Sequence, residues 1–232
     1  MSGWDTLWES RELPPEQPST LGHLMAADGL DSGFSQVDEA AWAAGVDGLA
    51  DRWGLAAGTS VFEVGCGAGA FLYVLNRRGC RVAGIDRSPN LVARASEVMP
   101  QGVFGVADAD EFDLAPRFDA VVSFGVFLYF GSEQYAERVA ERMAHKARRM
   151  VAILDLPDRA RQAEAIADRE RRAGGSQAYA ARYVGLEHRY YDRGWMAETL
   201  RGLGLVNVTV EDQSIDTLGN ARHRFNAWGF LP

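Results

Sequence analysis

Apolar positions along this chain fall into two alternating rhythms. Short, nearly continuous apolar runs occur at "SVFEVG" (60–65), "RVAGID" (81–86), "GVFGVAD" (102–108), "FDAVVSF" (118–124) and "RMVAILDL" (149–156). They have the length and composition of strands buried on both faces. Between them the apolar spacing turns helical. Val37, Ala41, Trp42, Val46 and Leu49 share one side of segment 37–53, and Tyr135, Val139 and Met143 share one side of 132–147. "AFLYVLNRRG" reads as a helix closed by Gly79, and "SPNLVARASEVM" as one opened by Ser88 with Pro89 in its first turn. Strands alternating with helices predict an α/β fold, its parallel sheet covered by helices on both faces.

The ends depart from this rhythm. A helix over 192–203 is followed by "LVNVTVEDQ" and "RHRFNAWGFL", two strands with no helix between them. Such a pair predicts an antiparallel hairpin at the sheet edge, bringing the strand count to seven. Segment 156–191 is polar, with a helix expected near 158–173, and reads as a lid-like insertion after a sheet strand. Residues 1–36 form a separate arm, irregular over 11–35 where Pro, Gly and Asp are frequent, so 37–232 is expected to be a single domain.

Composition changes this picture little. The 232 residues are 47% hydrophobic and 24% charged, ordinary for one globular unit. A net charge of −8 weighs against a nucleic-acid partner, which wants a basic surface. Two cysteines, Cys66 and Cys80, make neither a disulfide framework nor a metal-ligand spacing, and no metal is expected. The opening "MSGWDTLWES" lacks a basic segment followed by an apolar run, and no stretch approaches a membrane span. The expectation is a cytoplasmic protein without a membrane partner. Oligomeric state stays open, a homodimer included.

The chemistry is concentrated in "VFEVGCGAGAFL" (61–72), where one acid, Glu63, sits in a hydrophobic strand and glycines 65, 67 and 69 follow at alternate positions. Glycine at a strand-to-helix turn admits a ligand close to the backbone, although a lone glycine turn is as readily a tight connection. A pyrophosphate would be repelled by Glu63; a cation would be welcomed. Asp86 ends the second strand and Asp108 the third, so three acids fall at the same end of successive parallel strands, where open α/β sheets bind ligands. A carboxylate at Asp86 can accept both ribose hydroxyls and one at Asp108 an exocyclic amine. A nucleoside bearing a cationic amino-acid arm fits all three.

With "EVGCGAG", "GIDRS", "VADA" and "FDAVVSF" in order at these steps, the segment from Val61 to about Asp155 resembles the class I S-adenosylmethionine-dependent methyltransferases. The resemblance implies a Rossmann-like, mostly parallel seven-stranded sheet with an antiparallel C-terminal edge hairpin. It also implies S-adenosylmethionine as cofactor and S-adenosylhomocysteine as product. Gly65 and Gly67 would pass under the methionine portion, with Cys66 and Gly69 in the same turn, and Glu63 would orient the amino group through water. Asp86 would hold the ribose, Arg87 flank the adenine, Asp108 meet its amine and Ala109 offer its backbone N–H to the ring. Phe124 would lie beside the methionine end. In this fold the N-terminal arm would lie over the site, with Trp4 or Trp8 against the sulfonium or merely packing a helix of their own.

The acceptor is less legible. "SFGVFLYF" lacks the Asn-Pro-Pro-Tyr-like turn of exocyclic-amine methylation, neither cysteine follows proline as cytosine methylation would need, and Asp155 has no evident companion for a metal. A small-molecule acceptor remains. Among the four histidines, His188 in "GLEHRYYD" is the best-placed base for an alcohol, with Tyr190 beside it as catalytic partner and Tyr191 as a substrate contact; a purely structural histidine stands as the alternative. Eight arginines crowd 159–193, and Arg222 and Arg224 follow Asn220. Most of the helix arginines read as a solvated face, but one from the insertion and one from the last strand, with Asn220, can clamp a phosphate or carboxylate. The tail segments are similar to a loose group of bacterial methyltransferases of surface-glycan or secondary-metabolite assembly, implying oxygen methylation of a glycosyl or natural-product acceptor. The alternatives are N-methylation of an amino sugar or other small amine, and a cofactor-binding module that does not catalyse.

Overall fold

A computed structural model of the chain describes Trp4, Trp8 and residues 20–30, 37–215 and 217–232. Every run read as a strand is one: β1 (Ser60–Val64), β2 (Arg81–Asp86), β3 (Val103–Val106), β4 (Phe118–Phe124), β5 (Ala147–Pro157), β6 (Val206–Asp212) and β7 (Arg224–Phe230). They form one sheet in the order β3-β2-β1-β4-β5-β7-β6. The first five strands pair in parallel. β7 runs antiparallel to both β5 and β6. The C-terminal hairpin is therefore present, but its last strand lies inside the sheet and β6 forms the edge. Burial agrees: β7 is buried almost throughout, whereas β6 is half-exposed.

The helices are α1 (Leu21–Ala27), α2 (Glu39–Arg52), α3 (Ala70–Arg77), α4 (Pro89–Val98), α5 (Glu133–Lys146), α6 (Gln162–Ala173), α7 (Ser176–Tyr183) and α8 (Arg193–Gly202). Strand alternation sends their packing to opposite faces. Val61, Val122 and Ala152 meet Trp42, Leu72 and Ala95 from α2, α3 and α4. Phe62, Val121 and Val151 meet Val139 and Met143 from α5 and Leu200 from α8. Local capping sets the helix starts. Asp38 accepts from the Ala40 and Ala41 N–H groups at α2, and Ser88 from Leu91 at α4, with Pro89 as the first helical residue.

Two segments differ from the reading of the sequence. Residues 21–27, expected inside an irregular arm, form α1, which buries Leu21, Leu24 and Met25. Their i, i+3, i+4 spacing is helical, but the surrounding Pro and Gly mask it. Of the rest of that arm, Trp4, Trp8, Thr20 and residues 28–30 are described, and the remainder lies outside the described residues. In the insertion the expected first helix is α6; a second, α7, follows Gly174 and Gly175 and buries no residue.

Candidate functional site

At the carboxyl ends of β1, β2, β4 and β5 lies a cavity of about 960 Å³. It sits near the upper end of the roughly 300–1,000 Å³ usual for small-molecule sites. Its floor is the glycine turn. Gly65 has φ of 74° and Gly67 of 52°, left-handed values that cost an L side chain about 1–2 kcal/mol. A Cβ would also meet Val126 at 2.3 Å from Gly65 and the Asp28 carboxylate at 2.2 Å from Gly67. The turn needs glycine on both counts. Gly69 is the N-cap position of α3 and does not line the cavity.

Carboxylates hold this turn in place. Asp86 Oδ2 accepts from the Gly67 N–H (2.9 Å) and Oδ1 from Ser88 (2.9 Å), so the end of β2 fixes the turn after β1. Asp28, just after α1, accepts from the N–H groups of Ala68 (2.6 Å) and Ala70 (3.0 Å). Glu63 is 2% exposed, and among the described residues its Oε2 has no hydrogen-bond partner. Burial, and after it the nearby charges of Asp28 and Asp86, raise its pKa well above the usual carboxylate range. A buried acid with an unmet acceptor, set among two further carboxylates, is a site for a cationic donor. The amino group and sulfonium of S-adenosylmethionine supply that charge, so the residues fit this cofactor. The remaining cofactor candidates cluster here as well: Cys66, Arg87, Asp108, Ala109 and Phe124 all line the cavity. Burial and the same acids hold the Cys66 thiol protonated. Arg87 pairs with Asp108 at 3.2 Å. Phe124 packs edge-on against Trp42, whose indole N–H donates to the Ala70 carbonyl (3.2 Å).

The far end of the cavity is built by the insertion and the last strands. His188 lines it, stacked on Trp4 (5.0 Å between centroids) and edge-on to Tyr129 (5.8 Å). Arg169 contacts its Nδ1. A guanidinium only donates, so Nδ1 carries a lone pair and the neutral ring bears its proton on Nε2. Burial, then the charges of Arg169 and Arg224, hold the imidazole pKa well below its usual range. Asp155, half-buried near the carboxyl end of β5 with φ of 60°, also lines the cavity. Its Oδ1 accepts from Gln213 (3.0 Å), its N–H donates to Asn226 (2.9 Å), and its carbonyl accepts from Arg224 (3.0 Å).

Of the substrate candidates, Asn220 and Arg224 line the cavity, whereas Arg222 and Tyr191 do not, and neither does the catalytic candidate Tyr190. Arg222 is turned to Asp168. Tyr191 is fully buried, its hydroxyl donating to the Phe127 carbonyl (2.7 Å), and Tyr190 is 8% exposed with its carbonyl bound by Arg159. Reading the sequence missed Asp28, Trp42 and Tyr129 at the site; only their long-range contacts bring them there. Among the described residues no group of three or more His, Cys, Asp or Glu side chains is placed to hold a metal ion. No described helix is long and apolar enough to cross a membrane.

Comparison with known proteins agrees with this geometry. A methyltransferase-domain family model matches residues 61–151. A search of curated proteins found no match. Among solved structures the chain is similar to magnesium protoporphyrin IX methyltransferase from Synechocystis PCC 6803 with bound S-adenosylmethionine. That likeness has a TM-score of 0.60 and 16% identity over 99% of this chain and 95% of that one. An S-adenosylmethionine-dependent methyltransferase from Clostridium acetobutylicum gives a TM-score of 0.66 and 10% identity, over 91% and 99% of the two chains. Phosphoethanolamine N-methyltransferase 2 from Haemonchus contortus gives 0.64 and 15% identity over 98% of this chain, which spans 59% of that protein. These likenesses establish the fold. Residues 61–151 thus match a methyltransferase domain that carries Glu63, the glycine turn, Asp86 and Asp108 around a cation-seeking cavity, and the chain as a whole has the Rossmann-like fold of the S-adenosylmethionine-dependent methyltransferases it resembles.

Proposed function

We propose that this enzyme methylates an oxygen of a small polyhydroxylated acceptor, a glycosyl or natural-product molecule, in the cytoplasm. One observation carries the reading: a carboxylate, Asp155, and an imidazole, His188, line the same cavity as the cofactor-side residues. When bound, S-adenosylmethionine supplies an electrophilic methyl on a sulfonium. An alcohol that attacks it must lose its proton, so a positioned proton acceptor is required. With Nδ1 engaged by Arg169, His188 has its N–H left to offer. In this reading His188 donates from Nε2 to orient the acceptor, and the Asp155 carboxylate takes the proton. Gln213, Asn226 and Arg224 hold Asp155 in place. The cofactor-side roles are those expected from the sequence: Glu63 receives the amino group, Asp86 the ribose, and Asp108 with Ala109 the adenine.

The N-methylation reading would leave the Asp155 carboxylate without a task, since an amine attacks in its neutral form and needs no positioned proton acceptor. Incubating the protein and S-adenosylmethionine with paired hydroxyl and amino analogues of small sugars separates the two. Mass spectrometry should find the methyl on the hydroxyl member; methyl on the amino member alone would replace this proposal with N-transfer.

A further inference from the structure

The eight arginines of 159–193 divide into two sets. Five are committed to the fold. Arg159 binds Glu133, Arg161 lies 3.9 Å from Asp158, Arg171 binds Asp168, and Arg193 binds Asp158 and Asp212. Arg189 donates to the carbonyls of Phe130 and Gly131. The other three, Arg169, Arg172 and Arg182, are the ones that line the cavity. Among the described residues, neither Arg169 nor Arg182 has a carboxylate partner. Arg169 spends one N–H on His188, and Arg182 lies over the Tyr183 ring (5.4 Å to its centroid). The phenols of Tyr179 and Tyr183 line the same wall.

Charges of both signs line the cavity, and most are paired. Arg87 lies 3.2 Å from Asp108 and Arg224 lies 3.5 Å from Asp155, which leaves Arg169 and Arg182 as lining cations without a carboxylate partner among the described residues. In a chain of net charge −8, arginines collected on one wall run against the overall balance. Solvation alone would spread them over the outer face of α6 and α7. The guanidinium forks of Arg169 and Arg182, beside the Tyr179 phenol, match the oxygens of a phosphate or carboxylate.

We infer that the insertion forms an anion subsite, centred on Arg169 and Arg182, and that the methyl acceptor carries a phosphate or carboxylate group read there. The inference rests on the methyltransferase reading and adds the charge class of the acceptor. It also explains what the insertion does, since fixing the anionic group at the outer wall turns the acceptor's hydroxyl inward, toward Asp155.

The test is calorimetric titration of the full chain, saturated with S-adenosylhomocysteine, with inorganic phosphate in one arm and acetate in another at low ionic strength. One saturable site is expected, weakened at least tenfold in Arg169→Gln/Arg182→Gln and unchanged in Arg171→Gln, a control from the committed set. Preference for phosphate would assign a phosphorylated acceptor, and preference for acetate a carboxylated one. Binding of neither anion, or equal binding by wild type and the double variant, would overturn the inference. S-adenosylhomocysteine affinity is read in the same experiment: if it were absent in the wild type, the methyltransferase reading would fail, and if present in both proteins, only the subsite is on trial.

Discussion

Glu63 joins the sequence pattern to the cofactor chemistry. Its pKa is raised on folding, chiefly by burial, so the folded chain holds its proton more tightly than the unfolded one. The stability cost of ionising it is absent below the ordinary carboxylate range and grows as pH rises toward the raised value. Glu63→Gln should therefore melt higher than wild type at pH 8, with a smaller difference at pH 5, as measured by differential scanning calorimetry without cofactor. The same variant should bind S-adenosylmethionine about 10–100-fold more weakly, as losing one charge-assisted hydrogen bond implies. At the other end of the cavity, Asp155→Asn should lower turnover by about 10²–10⁴-fold, the usual weight of a general base, with cofactor affinity unchanged. His188→Gln, which keeps a donor, should cost much less, and a larger loss in His188→Gln than in Asp155→Asn would return the base to His188. Glu63, Asp86 and Asp108 were legible because each marks a recognisable strand, Glu63 within β1, Asp86 at the end of β2 and Asp108 two residues past β3. The tautomer of His188 was not, because it depends on Arg169, nineteen positions away.

The glycine turn shows how secondary-structure elements cooperate. Asp86 from β2 and Asp28 after α1 both grip its N–H groups, so the turn is shaped from two sides. Gly67→Ala should push Asp28 out of position, lower the melting temperature and weaken cofactor binding together; full affinity in this variant would show that the turn has more room than the structure allows. The Asp28 contact could not be read from sequence, because α1 is hidden among Pro and Gly residues that break its pattern. The insertion behaves differently. Because α7 buries nothing, its amides should exchange with solvent far faster than those of β1 or β4, by hydrogen-exchange mass spectrometry. Replacing residues 176–183 by a short glycine–serine linker should leave cofactor affinity intact while abolishing turnover.

Across the fold, five parallel strands and their helices were readable because buried strands and amphipathic helices each carry their own period. The position of β7 was not, since a hairpin fixes which strands are adjacent without saying which one enters the sheet. Its placement has consequences: Arg224 and Asn226 on β7 reach Asp155 on β5, so inserting the last strand completes the far end of the cavity. The buried Glu63 beside the glycine turn and the arginines of the insertion give the molecule a cavity suited to a cationic cofactor and an anionic acceptor. The first half of that claim is open to one direct measurement, calorimetric titration of the wild-type chain and Glu63→Gln with S-adenosylmethionine. A single site in the wild type, weakened 10–100-fold in the variant, is the predicted result; no heat with either protein, or equal affinity in both, would contradict it.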